Sequence, residues 1–165
     1  MDHLWSPWRM EYIRNNKTPE GCVFCDAAKK EVGEDNLIVA RGSHAFVILN
    51  RFPYTSGHIM IVPFDHIGTF EEMDEATCSD VMHLIRQGIS SLNHVYSPDG
   101  YNMGANLGAS AGAGIMNHIH FHLVPRWSGD TNYMTSIGGT RVLPEDLYIT
   151  LKRLKDAWQK GKKSK

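Results

Sequence analysis

The stretch His118-Ile119-His120-Phe121-His122-Leu123-Val124-Pro125 decides how this chain is read. Imidazoles alternate with large apolar side chains, which is the period-two pattern of a half-buried β-strand. Successive side chains on a strand point to opposite faces. The pattern therefore sends Ile119, Phe121 and Leu123 into a core and sets His118, His120 and His122 in a row on the other face. Alternate residues lie about 6.6 Å apart along a strand, so such a row suits an anion or a phosphate chain laid along it. One histidine on a strand face is ordinary surface. Three in strict alternation, beside an apolar inward face, mark a site. The same spacing puts the outer two about 13 Å apart, too far for all three to share an ion bound at about 2.0–2.1 Å.

Around this strand the chain has the make-up of one globular domain. It has 165 residues, 42% hydrophobic and 21% charged, enough to bury a core without disulfide staples. A formal net charge of −1 lacks the basic excess of a nucleic-acid binder. No apolar run reaches the 18 or so residues that cross a bilayer, and the N-terminus lacks a signal-peptide layout. Three cysteines, an odd number, fit a reducing cytoplasm better than a disulfide framework. A single domain over 1–165 is expected, with an irregular apolar arm over 1–20 and a solvated basic tail over 160–165.

Working toward the N-terminus, Tyr101 to Leu107 reads as a strand leading into Gly108-Ala109-Ser110-Ala111-Gly112-Ala113-Gly114. A run of tiny residues can turn consecutive backbone N–H groups toward one concavity that takes an anion, and Gly112 and Gly114 are candidates for it. Glu71 to about Tyr96 carries apolar residues at helical spacing, the main amphipathic helix packed across the sheet. His83 and His94 fall on its outer side, and Cys78 reads as a small core hydrophobe. Gly57 to Pro63 is a buried strand with His58 at its entrance. Leu37 to Arg41 and Ala45 to Leu49 form a hairpin about Gly42-Ser43-His44, and Asn50 ends it in a loop where turn chemistry is the ordinary role. Cys22-Val23-Phe24-Cys25 has the spacing with which two thiolates hold one tetrahedral zinc; two reduced, partly buried cysteines read equally well. On the other side of the histidines, Ile137 to Arg141 is a loop and a helix runs from Glu145 to about Trp158. The fold class is α+β.

His118 to Val124 match every position of His-φ-His-φ-His-φ-φ, φ being apolar, and the chain resembles the histidine triad nucleotide hydrolases and transferases from about Trp5 to about Trp158. The opening Leu4-Trp5-Ser6-Pro7-Trp8-Arg9 and the run from Pro125 to Tyr133 are similar to the bacterial diadenosine polyphosphate phosphorylase-like branch. The resemblance implies a five-stranded, mainly antiparallel sheet with a long helix and a C-terminal helix, and a homodimer that joins two sheets. It implies His66 and His118 as partners of Cys22 and Cys25 around a structural zinc, with no cofactor needed for the chemistry. It implies Asn50 at the ribose, Asn106 near the phosphates, and His58 beside the phosphate site. His120 would be the nucleophile, since a neutral imidazole with a pKa of about 6.5 can attack phosphorus near pH 7; the His118 carbonyl would hold its other nitrogen. His122 and His58, if protonated, would stabilise the phosphate oxygens. Many hydrolases of the family carry Gln and then Ser or Thr, four and three residues before the first histidine; this chain has Gly114 and Ile115. Dinucleoside polyphosphates, adenylate conjugates and phosphoramidates all remain as substrates, with water or phosphate as acceptor. A non-catalytic nucleotide-binding protein is the rival reading.

Overall fold

The computed structural model describes residues 21–30, 36–131, 133–137 and 145–163. The apolar arm and most of the expected loop after Ile137 lie outside them. Five strands form one sheet: β1 (Ile38–Arg41), β2 (Ala45–Leu49), β3 (Ile59–Pro63), β4 (Gly100–Gly104) and β5 (Phe121–Arg126). Their order is β1-β2-β3-β5-β4, and every neighbouring pair is antiparallel. The helices are α1 (Val23–Lys29), α2 (Glu75–Tyr96), the short α3 (Tyr133–Ser136) and α4 (Leu147–Lys163).

The core follows from two periodicities. All five residues of β2 and all five of β3 are buried, as in strands covered on both faces. On α2 the buried positions Val81, Leu84, Ile85, Gly88 and Leu92 repeat at three and four residues, one stripe of a 3.6-residue helix. Asp74 starts this helix by accepting from the Thr77 N–H at 2.7 Å. On α4 the buried set Leu151, Leu154, Ala157 and Trp158 makes the matching stripe, and α2 and α4 lie together over the sheet.

Several boundaries differ from the sequence expectation. The long helix begins at Glu75, because residues 70–72 form a separate 3-10 turn ahead of the Asp74 cap. β4 ends at Gly104 rather than Leu107. The final helix runs on to Lys163 and takes up residues 160–163, expected as a frayed tail. Cys78 is half-buried rather than core. The sequence pattern did not mark α1 as a helix.

The largest difference falls on the histidine stretch. β5 starts at Phe121, so His118, Ile119 and His120 are not strand residues. β3 pairs with β5 only as far as Ile61 opposite Phe121. Beyond Pro63 its chain leaves the sheet, and the Ile119 N–H donates instead to the Ile67 carbonyl, at 2.7 Å. The histidine face is not open either: His118 and His120 are buried and His122 is half-buried.

Candidate active site

β5 lies between β3 and β4, with His122 opposite Met60 on one side and Gly104 on the other. His58 enters the same place from the start of β3. Gly57 lets it do so: its φ is +80°, and a Cβ there would meet Leu92 and Tyr96 of α2 at 2.9 and 3.0 Å. Three imidazoles, His58, His122 and His120, then form a connected row. Ring centroids are 5.1 Å apart for His58 and His122, and 5.0 Å for His122 and His120.

The ring protons can be assigned from partners that have only one role. The Tyr54 backbone N–H can only donate, and it lies 3.1 Å from His58 Nδ1. A neutral His58 therefore carries its proton on Nε2 and donates it to His122 Nδ1, 2.9 Å away. His122 in turn carries its own proton on Nε2. The His118 carbonyl can only accept, and it lies 2.9 Å from His120 Nδ1, so the lone pair of His120 is on Nε2. The Pro63 carbonyl, 3.0 Å from His118 Nε2, leaves the lone pair of His118 on Nδ1.

Burial acts on three of these rings. Loss of water lowers the pKa of His118 and His120 below the ordinary imidazole value. Burial, and then the neighbouring His120, bring His122 down to about 4. These rings are neutral at pH 7. His122 thus presents an Nε2–H donor and not a standing cation.

The Nδ1 atom of His118 faces Cys22 Sγ at 3.2 Å and Cys25 Sγ at 3.6 Å, and His66 Nδ1 lies 3.3 Å from Cys25 Sγ. The four candidate ligand atoms of Cys22, Cys25, His66 and His118 lie within 4.8 Å of one another. Tetrahedral zinc, with bonds of about 2.0–2.3 Å, sets its ligands roughly 3.3–3.8 Å apart. Two soft thiols and two imidazoles gathered this closely fit such an ion.

A cavity of ≈ 900 Å³ opens beside His122. Asn106, Tyr54, Tyr96, Arg126 and Arg153 line it together with His122. Arg126 is paired with Asp130, and Arg153 with Glu145. Of the expected site residues only His122 and Asn106 are in its wall; His58, His118, His120, Asn50, Gly112 and Gly114 are not among the described residues that line it. Asn50 Nδ2 lies 3.5 Å from each ring nitrogen of His58, and its Oδ1 accepts from the Phe52 N–H at 2.9 Å, the turn role open to any asparagine there. In the glycine loop, Gly108 and Gly112 have φ of +81° and +83°. The N–H groups of Ala111, Gly112 and Ala113 bond back to the carbonyls of Gly108 and Ala109, so these three do not point at an anion as expected. Asn106 braces the loop through Gly112 O, at 3.3 Å, and Gly114 is exposed. His44, His83 and His94 are exposed and away from the site.

Sequence reasoning missed Tyr54, Arg126 and Phe24. Arg126 had a signal: it continues the alternation from His122 through Val124, and all three line the cavity. Tyr54 and Phe24 had none, being brought in by a loop and a helix from distant parts of the chain.

The antiparallel α+β domain thus sets an oriented imidazole, that of His122, beside a polar cavity. The chain belongs to the HIT domain family, whose model matches residues 31–129, and it is an enzyme of that family. It is 34% identical over 166 residues to a Mycobacterium tuberculosis protein named AP-4-A phosphorylase, across 96% of this chain and 85% of that one. It is 28% identical over 105 residues to an adenosine 5'-monophosphoramidase of Schizosaccharomyces pombe, across 64% of this chain and 74% of that one. Among solved structures, a zinc-bound histidine triad protein of Mycobacterium smegmatis aligns with a TM-score of 0.71 at 21% identity, over 88% of this chain and 98% of that one. No helix of the described residues is long and apolar enough to cross a membrane.

Proposed function

We propose that this enzyme cleaves dinucleoside polyphosphates, such as diadenosine tetraphosphate, at the α-phosphate, with inorganic phosphate as acceptor. The observation that carries the reading is the His120 ring, whose Nδ1–H is held by the His118 carbonyl. That bond commits the Nε2 lone pair to attack. Nε2 forms a P–N bond to the α-phosphorus as the bond to the leaving nucleotide breaks, giving a nucleotidyl-histidine. His122, with its proton on Nε2, donates to the phosphate oxygens as their charge grows. A phosphate oxygen then attacks the same phosphorus. The P–N bond breaks, His120 recovers its lone pair, and a nucleoside diphosphate leaves. The likeness to the M. tuberculosis AP-4-A phosphorylase over nearly the whole chain supports this choice.

Cys22, Cys25, His66 and His118 would hold a zinc ion that ties α1 to the body of the domain; its role is structural, and no step passes through it. β4 is an edge strand, paired on one side with β5, and Met103 on it and Leu107 beyond it are exposed. A second copy laid edge to edge would cover them, which supports a homodimer. Nucleic acid and membrane are not expected partners, and a cytoplasmic setting suits the cysteines.

The test is turnover of diadenosine tetraphosphate in labelled phosphate. Phosphorolysis yields ADP plus ATP with label in the ADP. AMP plus ATP, with no label entering ADP, would make the enzyme a hydrolase. Turnover confined to adenosine phosphoramidate would move it to the activity of the S. pombe relative.

A further inference from the structure

Phe24 touches the reacting histidine and has no part in the chemistry above. It lies on α1 between Cys22 and Cys25 and is 3% exposed. Its ring centroid is 5.4 Å from that of His118, at 71°, and 5.0 Å from that of His120, at 50°. His122 stands 5.0 Å from His120, so the His120 ring has contacts from both. A single hydrogen bond at Nδ1 sets which nitrogen bears the proton but leaves the ring free to tilt about it. The packed rings limit that freedom.

The anchoring of Phe24 depends in turn on the cysteines. α1 has seven residues, too few to stand as an isolated helix. Its C-terminal end is tied by Arg41, whose Nη2 donates to the Ala28 and Lys30 carbonyls at 2.7 and 2.5 Å. Its N-terminal end is tied where Cys22 and Cys25 meet His118 and His66. Phe24 sits at that end.

We propose that Phe24 is a positioning residue: pinned between the two cysteines, its ring limits the tilt of the His120 imidazole so that Nε2 stays aimed for attack. The inference rests on His120 being the nucleophile. It also makes the Cys22, Cys25, His66, His118 cluster bear on turnover through packing, since whatever ties the cysteines restrains the ring.

The test uses the full chain, with Phe24→Ala and Phe24→Leu compared by kinetics on diadenosine tetraphosphate and by ¹⁵N NMR of the His120 ring. Phe24→Ala should lower kcat by about 10–100-fold, as a displaced reacting group does. KM should stay within about twofold, since substrate contacts are kept, and the His120 ring signals should shift and broaden as the ring gains freedom to tilt. Removing metal from the wild type with a chelator should shift those ring signals in the same direction and should shift them no further in Phe24→Ala. Should the alanine variant fail to fold, Phe24→Leu keeps the bulk without the flat face and should show a smaller form of the same kcat loss and ring shift. A folded variant with wild-type kcat and an unchanged His120 spectrum overturns the proposal, as does a chelator shift undiminished in Phe24→Ala. The ring spectrum does not depend on turnover. Activity surviving in His120→Asn would defeat the nucleophile reading alone.

Discussion

In the proposed reaction His120 attacks phosphorus, and two features of its setting would serve that role in different ways. The His118 carbonyl fixes which nitrogen carries the proton, and burial keeps the ring neutral by lowering its pKa. A nucleophile acts only in the chemical step, so its loss falls on kcat. His120→Asn should lower kcat by about 10³-fold or more while nucleotide affinity is largely kept. Steady-state kinetics with equilibrium binding checks this; more than a tenth of wild-type turnover would move the nucleophile elsewhere. Gly114 belongs to the same scale. If a smaller residue than the Gln common among the family's hydrolases leaves room for phosphate, Gly114→Gln should weaken phosphate use more than water use, read as the ratio of labelled ADP to AMP. An unchanged ratio would remove Gly114 from acceptor choice.

At the scale of elements, two contacts carry the site. The first joins α1 to the histidine stretch through the cysteine cluster. If that cluster holds zinc, untagged protein should contain about one ion per chain, and chelation should lower Tm, because binding to the folded state alone adds to its stability. Protein without metal by elemental analysis would take the ion out of the account. The second is the contact of α2 with the sheet at Gly88. A Cβ there would meet Ile59 Cδ1 at 2.9 Å and Leu123 Cδ2 at 3.2 Å, both on fully buried residues. Helix propensity favours alanine over glycine by about 1 kcal/mol, but overpacking a core costs about 1–3 kcal/mol. The second effect wins. Gly88→Ala should be less stable by about 1 kcal/mol, a fall in Tm of about 2–4 °C for a chain of this size, and calorimetry reads it. A raised Tm would mean that Ile59 and Leu123 move aside.

Across the whole molecule, the buried histidine row makes stability depend on pH. The unfolded chain takes up a proton at His122 near the ordinary imidazole value of about 6.5, whereas the folded chain resists down to about 4. Between those values the unfolded state binds more protons, so stability falls as the pH falls. The contribution is complete above about pH 6.5 and is lost toward pH 4. The rings facing His122 are His120, His58 and Tyr54. Urea midpoints at pH 7 and pH 5 should drop more in the wild type than in His122→Asn. Equal drops would mean that His122 titrates normally in the fold.

How much of this was legible depended on the distance along the chain over which each feature is decided. The hairpin of β1 and β2, the buried run of β3 and the stripe of α2 are written in local periodicity, and the structure places them within a few residues of the reading. The alternation of His118, His120 and His122 announced a site because period two is a local property as well. What that stretch does was decided elsewhere. His118 and His120 are off the strand because the pairing of β3 with β5 stops at Ile61 and Phe121, and they are covered because α1 lies over them. Cys22 meets His118 across 96 positions of sequence; spacing within Cys22–Cys25 suggested half a metal site, and only resemblance to a family supplied the other half. The protons of the imidazoles follow from the Tyr54 N–H and the carbonyls of His118 and Pro63. Side-chain type and period are carried by the chain itself. Burial, tautomer and ligand geometry come from groups distant in sequence, which only the closed sheet and its helices bring within about 3 Å of one another.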